Sequence, residues 1–234
     1  MALDRVLAHE PHALHIVGSA STTRQYAHPL RASFRPWGAD IDATLGDPDA
    51  ARRSRSHTGT GAEALPLSLA VGVWLVHRAA VAGRIRRPTQ WFAHTVAADA
   101  STDDCVALAA DLPSEYPWAL LVMGDGSACR GQKAPGYDDP RAEPFDKTVA
   151  QALATADVDA LLALDPALAA ELRAAGRAPW RVLAAAAHDG APSWHGDLLY
   201  EAAPYGVAYF VATWTPTPPS PTPPPYPPIM DLGP

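Results

Sequence analysis

Short apolar runs bounded by glycine, proline or polar residues predict the first strands of this chain. His12 to Gly18 is such a run, and Gln90 to Val96 combines β-branched and aromatic residues. Trp118 to Met123 is an unbroken apolar run that ends at Gly124. Continuous apolarity is typical of a strand buried on both faces, so we expect Trp118 to Met123 to be a central strand.

Helical patterns lie between these strands and dominate the C-terminal half. The residues from Leu65 to Val81 predict a buried helix, and Ser101 is suited to cap a helix that runs to Leu112. Further helices and a final strand pair are predicted at Phe145 to Leu153, Val158 to Leu164, Asp165 to Gly176, Ala178 to His188, Leu198 to Glu201 and Gly206 to Trp214. This alternation predicts a three-layer α/β/α domain with a mainly parallel central sheet.

Two regions lack a sustained period. Ser19 to Gly61 is rich in loop-forming residues, and we expect one short strand there, near Ala32 to Phe34. From Thr215 onward proline dominates, which favours an extended polyproline II conformation. The expected organisation is one domain over residues 1–214 and a disordered proline-rich tail over residues 215–234.

Charge and composition exclude some partners. The net charge of −7 comes without any dense block of Lys and Arg, which argues against nucleic acid or an anionic membrane surface as the main partner. The apolar stretch from Ala64 to Gly83 is interrupted by Pro66 and Arg78, so it predicts a buried helix and no membrane span. Two cysteines without a C-x-x-C motif suit a reducing compartment, and the charged N-terminus does not resemble a signal peptide. A cytoplasmic location is expected.

The stretch from Ala119 to Gly176 carries several motifs in a fixed order. An apolar strand is followed by the run Gly124 to Ala128, then by a Gly-Tyr-Asp loop at residues 136–138, then by Phe145-Asp146 in a helix. This order resembles the second half of the class III (LigB-type) extradiol ring-cleavage dioxygenases and their Memo-like relatives. Weaker matches at residues 11–21, 64–76 and 200–212 extend the resemblance over most of the chain, and its alanine-rich style is similar to the actinobacterial branch.

The resemblance implies a catalytic apparatus that this sequence does not carry. Members of the family that cleave catechols hold Fe(II) with two histidines and a carboxylate, and use a further histidine as acid and base. Ala128 occupies the position of that acid/base histidine, and the histidine after the early strand would fall at Ser19 or Ala20. The resemblance also implies a strand upstream of Met1 that pairs with Ala13 to Val17. We therefore expect a catalytically degenerate protein that binds no metal.

Two sets of residues remain as candidates for function. Cleft-lining residues implied by the resemblance are Ser19, Asp125, Ser127, Arg130 and Tyr205, which would bind a small molecule or a partner. A turn-capping role for Asp125 or Ser127 is the alternative. A rebuilt Fe(II) site made by His28, His57 and Glu201 is the second alternative, and it would make the protein an active ring-cleavage dioxygenase. Self-association and a partner for the tail both stay open.

Overall fold

The computed structural model describes residues 2–26, 29–46, 64–84, 90–112, 117–188 and 193–217. Within these ranges the helices are α1 Ala2–Leu7, α2 Leu67–Val81, α3 Thr102–Ala110, α4 Ala142–Thr155, α5 Val158–Leu162, α6 Pro166–Glu171 and α7 Arg177–His188. The strands are β1 Ala13–Ala20, β2 Arg24–Tyr26, β3 Leu30–Ser33, β4 Asp42–Leu45, β5 Gln90–Ala97, β6 Trp118–Met123, β7 Trp194–Ala202 and β8 Tyr209–Pro216.

The main sheet has four strands in the order β2, β5, β1, β6. Strand β1 runs parallel to both β5 and β6, and the short β2 is antiparallel at the far edge. The predicted α/β class with a mainly parallel sheet is therefore confirmed.

The structure corrects one expectation about an individual strand and bears on a second. Trp118 to Met123 forms β6 at an edge of the main sheet, and most of its side chains are only partly buried. Its apolar run is explained by a cavity along its outer edge, described below. The resemblance implies a strand upstream of Met1 beside Ala13 to Val17, but β5 and β6 already pair with this segment on its two sides.

Helices cover both faces of the sheet, as the three-layer prediction requires. Leu14 and Ile16 belong to a core with α2, while Val17 packs on the opposite face with side chains of α3 and α7. Gly72 allows α2 to lie close to the sheet, because a Cβ there would come 2.8 Å from Cγ2 of Ile16. Ser101 and Asp104 form the predicted reciprocal cap of α3, with Ser101 Oγ accepting from the Asp104 N–H at 3.1 Å.

Two antiparallel hairpins extend the domain. Near Ala32, where one strand was expected, β3 and β4 form a hairpin that contacts α2. Strands β7 and β8 pair over their whole length, with an irregularity between Leu198 and Tyr200. Thr215 and Pro216 belong to β8 and pair with β7, so the domain extends beyond the predicted boundary at residue 214.

Residues 218–234 lie outside the described part of the chain. Within that part, none of the helices combines the length and apolarity needed to cross a bilayer.

Candidate functional site

The carboxyl ends of β1 and β6 bring two of the predicted cleft residues to the same edge of the sheet. Gly18 is in register with Met123, so Ser19, near the end of β1, and Asp125, just after β6, lie at the carboxyl ends of paired parallel strands. The carbonyl oxygen of Ser19 accepts a hydrogen bond from Ser68 Oγ at 2.9 Å. The Asp125 side chain reaches the surface, but surrounding protein displaces part of its water and raises the pKa of the carboxyl.

Ser127 is fully buried and does not line a cleft. Its hydroxyl donates to Asp146 Oδ2 at 2.6 Å, and its backbone N–H donates to Asp146 Oδ1 at 2.8 Å. Asp146 lies on α4 and is itself fully buried. The pair joins the turn after β6 to α4, which agrees with the turn-capping alternative for Ser127.

Arg130 completes this polar cluster from its exposed side. Its Nη1 lies 3.3 Å from Asp146 Oδ2, and its Nη2 lies 3.9 Å from Glu143. The Arg130 N–H also donates to the carbonyl oxygen of Gly206 at 3.0 Å. Asp146 was not among the predicted site residues, although the Phe145-Asp146 motif had indicated a helix at this position. Its carboxylate accepts hydrogen bonds from the backbone and hydroxyl of Ser127, so the cluster positions the turn after β6.

The remaining predicted residues are more scattered. Tyr205 lies in the β7–β8 turn and is 81% exposed. Ala128 is held by its backbone, since its N–H donates to Leu172 and its carbonyl oxygen accepts from Gly136. Sequence reasoning missed Tyr209, whose phenol has a raised pKa because of burial and, secondarily, the charge of Asp125.

The residues that the structure describes do not form the ligand set of an Fe(II) site. In the described ranges, no group of three or more His, Cys, Asp or Glu side chains is arranged to hold a metal ion. Glu201 is an exposed residue of β7 that pairs with Phe210 across the hairpin. His28 and His57, the other ligands of the rebuilt site, lie outside the described residues.

A cavity of about 1000 Å³ lies along the outer edge of β6. Its walls come from β6, α7, β8 and the N-terminal helix α1. Four of the seven tryptophans border it, together with Phe210 and several Leu and Ala side chains: Trp118, Trp180, Trp194 and Trp214. The cavity runs beside β6 from Pro117 to Gly124, whereas the predicted cleft residues Ser19 and Asp125 lie at the carboxyl ends of β1 and β6, and none of the five predicted cleft residues borders it.

Strand β8 forms the wall opposite β6, and a hydrogen-bonded junction holds the two strands together at one end. The Gly126 N–H donates to the Ala208 carbonyl at 2.8 Å, and the Ala208 N–H donates to the Ser127 carbonyl at 2.8 Å. Beyond this junction, Phe210 and the residues from Ala212 to Pro216 of β8 border the same cavity as β6. The cavity therefore lies between the outer edges of two strands. Nothing in the local sequence pattern could reveal it, because its walls come from four distant segments.

Comparison with known proteins leaves the family open. No protein-family model matches this chain. No curated protein matches it either. The resemblance to LigB-type extradiol dioxygenases therefore stays a prediction carried by the motifs between Ala119 and Gly176.

Proposed function

We propose that this protein is a non-catalytic, extradiol dioxygenase-like binding protein whose ligand occupies the cavity beside β6. The observation that carries the proposal is the cavity itself, with a volume of about 1000 Å³ and an aromatic and aliphatic lining. Binding sites for organic ligands are typically concave and apolar, with roughly 300–1000 Å³ of space. A cavity of this size left empty would forfeit the packing contacts of its lining side chains.

The lining selects the chemistry of the ligand. Apart from His9 and threonines of β8, the bordering side chains are apolar, and none carries a permanent charge. An ionised ligand would lose its hydration here without a charged partner, which is strongly unfavourable. The ligand is therefore uncharged and apolar over most of its length.

The residues at the carboxyl ends of the strands support a role without ring cleavage. Ala128 has no group that can move a proton, and Ser127 and Asp146 are engaged with each other. Removing metal ligands abolishes oxygen activation altogether, since the metal has to bind both substrate and O₂. The alternative, an active dioxygenase, depends on His28 and His57.

Binding is tested with the neutral fluorophore N-phenyl-1-naphthylamine, measured by energy transfer from the tryptophans of the cavity. Wild type is expected to bind it saturably. Ala186, on the α7 wall, is replaced in Ala186→Phe to fill part of the space. Val106→Phe is the matched control, since Val106 is an exposed residue of α3. Ala186→Phe is expected to weaken binding roughly tenfold, and Val106→Phe to leave it unchanged. Equal binding by all three proteins would contradict the proposal.

Catalysis is tested separately with catechol, protocatechuate and gallate. The protein is loaded with Fe(II) without oxygen and then exposed to air in an oxygen electrode. We expect O₂ consumption no faster than that of Fe(II) in buffer. A yellow ring-opened product formed at enzyme-like rates would favour the dioxygenase alternative.

A further inference from the structure

The outer edge of β6 is unpaired within the described chain. Strand β6 pairs with β1 along its inner edge, and no described strand pairs with its other edge. In a parallel strand of six residues, about three N–H and three C=O groups point away from the paired neighbour. These groups face a cavity whose lining side chains are mostly apolar. Backbone groups in such a position need hydrogen-bond partners.

The opposite wall has the same property. Strand β8 pairs with β7 from Tyr209 to Pro216, and the described residues place no strand on its other side. Residues of β8 and β6 border the same cavity, and the two strands are connected at the Gly126–Ala208 junction. The space between them is thus bounded by two strand edges, with α1 and α7 as its remaining walls.

The size of the cavity matches one β-strand. A strand of six residues, the length of β6, extends about 20 Å at roughly 3.3 Å per residue. A strand inserted into a sheet occupies about 4.8 Å between its neighbours and about 10 Å between the covering layers, which gives a volume on the order of 1000 Å³. The cavity volume of about 1000 Å³ is comparable.

We infer that the ligand of this cavity is an extended, apolar, proline-free segment of a partner protein that adds to β6 as a strand. The inference rests on the proposed binding function and names the class of ligand. Backbone hydrogen bonds to β6 would supply affinity, and the aromatic walls would select apolar side chains on both faces of the added strand. The inserted strand would form hydrogen bonds with the outward N–H and C=O groups of β6 and fill the space beside that strand.

The composition of this chain does not offer such a segment. Residues 47–63 contain three arginines and three further charged residues, and residues 218–234 contain nine prolines, which cannot donate to a strand ladder. The described strands of six residues or more already pair with neighbours. A second copy offers the same segments, and its folded domain is far larger than a space that fits one strand. The composition of these segments therefore favours a different polypeptide as the occupant.

The probe for this inference is a displayed library of random twelve-residue peptides, selected on the full chain and counter-selected on Ala186→Phe. Enrichment of peptides with five or more consecutive apolar, proline-free residues is expected. The best binder is then synthesised with and without N-methyl groups on alternate residues. N-methylation removes backbone N–H donors while keeping every side chain. Two peptides are compared, each methylated on one of the two alternating sets of residues, and one of them is expected to bind roughly tenfold more weakly or worse. Amide exchange at Leu120 and Val122 is expected to slow when the unmethylated peptide is bound.

The possible outcomes separate this inference from the proposed function. If N-phenyl-1-naphthylamine binds but no peptide is enriched, the strand inference is overturned and the apolar binding site stands. Equal binding of the methylated and unmethylated peptides also overturns it, because strand pairing would then contribute nothing. If neither fluorophore nor peptide binds, the proposed function fails. Concentration-dependent dimerisation that excludes the fluorophore would identify a second copy as the occupant and overturn the inference.

Discussion

Nδ1 of His15 lies 3.4 Å from Nε2 of His94 inside the main sheet. The His15 ring stacks on Phe92 with 4.7 Å between centroids and meets the edge of Trp118. Burial lowers the pKa of His15 to about 4, with a smaller contribution from the neighbouring His94, and burial also lowers the pKa of His94. Both rings are therefore neutral in the native protein near neutral pH, and protonation of either one opposes the fold.

The histidine pair predicts a loss of stability in mild acid. Unfolded histidine titrates near 6.5, so between that value and about 4 the unfolded chain binds more protons than the native one. The free energy of unfolding is expected to be highest above the unfolded pKa. As the pH drops from about 7.5 to about 4, the lowered pKa of His15 should reduce the free energy of unfolding by about 3 kcal/mol. Urea denaturation across this range measures the change.

His15→Phe isolates this effect because phenylalanine keeps an aromatic ring and cannot take a proton. Its unfolding free energy should depend less on pH than that of wild type over the same range. His195→Gln is the control, since His195 is exposed on β7 and should leave the wild-type slope unchanged. A His15→Phe protein with the full wild-type slope would contradict the assignment to His15.

Asp146 is expected to be a main determinant of stability, because its buried carboxylate binds both the backbone and the hydroxyl of Ser127. Asp146→Asn removes the charge and one acceptor while keeping the shape, which leaves buried donors poorly satisfied. A loss of about 3 kcal/mol in the free energy of unfolding is expected by urea titration. Glu143→Gln, on the same helix and paired with Lys147 at the surface, should change stability by less than about 1 kcal/mol. Similar losses in both variants would refute the structural role of Asp146.

The sequence predicted best what short-range interactions determine. Ser101 and Asp104 cap α3 through contacts three residues apart, and Asp165 accepts from the N–H groups of Ala167 and Leu168 at the start of α6. Such caps need no knowledge of the rest of the fold. The three parallel strands β1, β5 and β6 were also located correctly, since β-branched and apolar runs mark them whatever their position in the sheet. Strands β2 and β4 were missed, because they lie in a region without a sustained period.

Position in the sheet could not be predicted in the same way. An apolar run such as Trp118 to Met123 indicates that its surroundings are apolar. It does not show whether the strand lies in the centre of the sheet under covering helices or at an edge of the sheet beside an apolar cavity. The cavity combines α1, β6, α7 and β8, and Asp146 meets Ser127 across 19 positions of sequence. Contacts between distant segments are set by packing, which periodicity does not report.

Gly124 is required where the end of β6 passes the start of α7. A Cβ at this position would lie 2.4 Å from Cα of Gly176, a backbone atom that cannot rotate away. Gly124→Ala is therefore expected to lower the melting temperature by many degrees or to prevent folding. Gly38→Ala is the control, because Gly38 has a φ of +82° but no atom near its virtual Cβ. It should lose only about 1 kcal/mol from backbone strain, and an equal loss in both variants would contradict the close approach.

Deleting residues 218–234 should leave the melting temperature nearly unchanged. The cut falls after Thr217, whose N–H donates to the Ser193 carbonyl at 2.7 Å, so the whole of β8 is retained. Nine prolines in the deleted segment lack the N–H donors that a strand or helix interior needs.

Deleting residues 214–234 is the contrasting variant. It removes Trp214, whose Nε1 donates to the Leu153 carbonyl at 2.8 Å, and it should lower the melting temperature strongly. Differential scanning calorimetry compares the three proteins, and fluorophore titration adds a second measurement. If the shorter deletion lowered the melting temperature by several degrees, or raised fluorophore affinity roughly tenfold, the proline-rich segment would itself occupy the cavity beside β6.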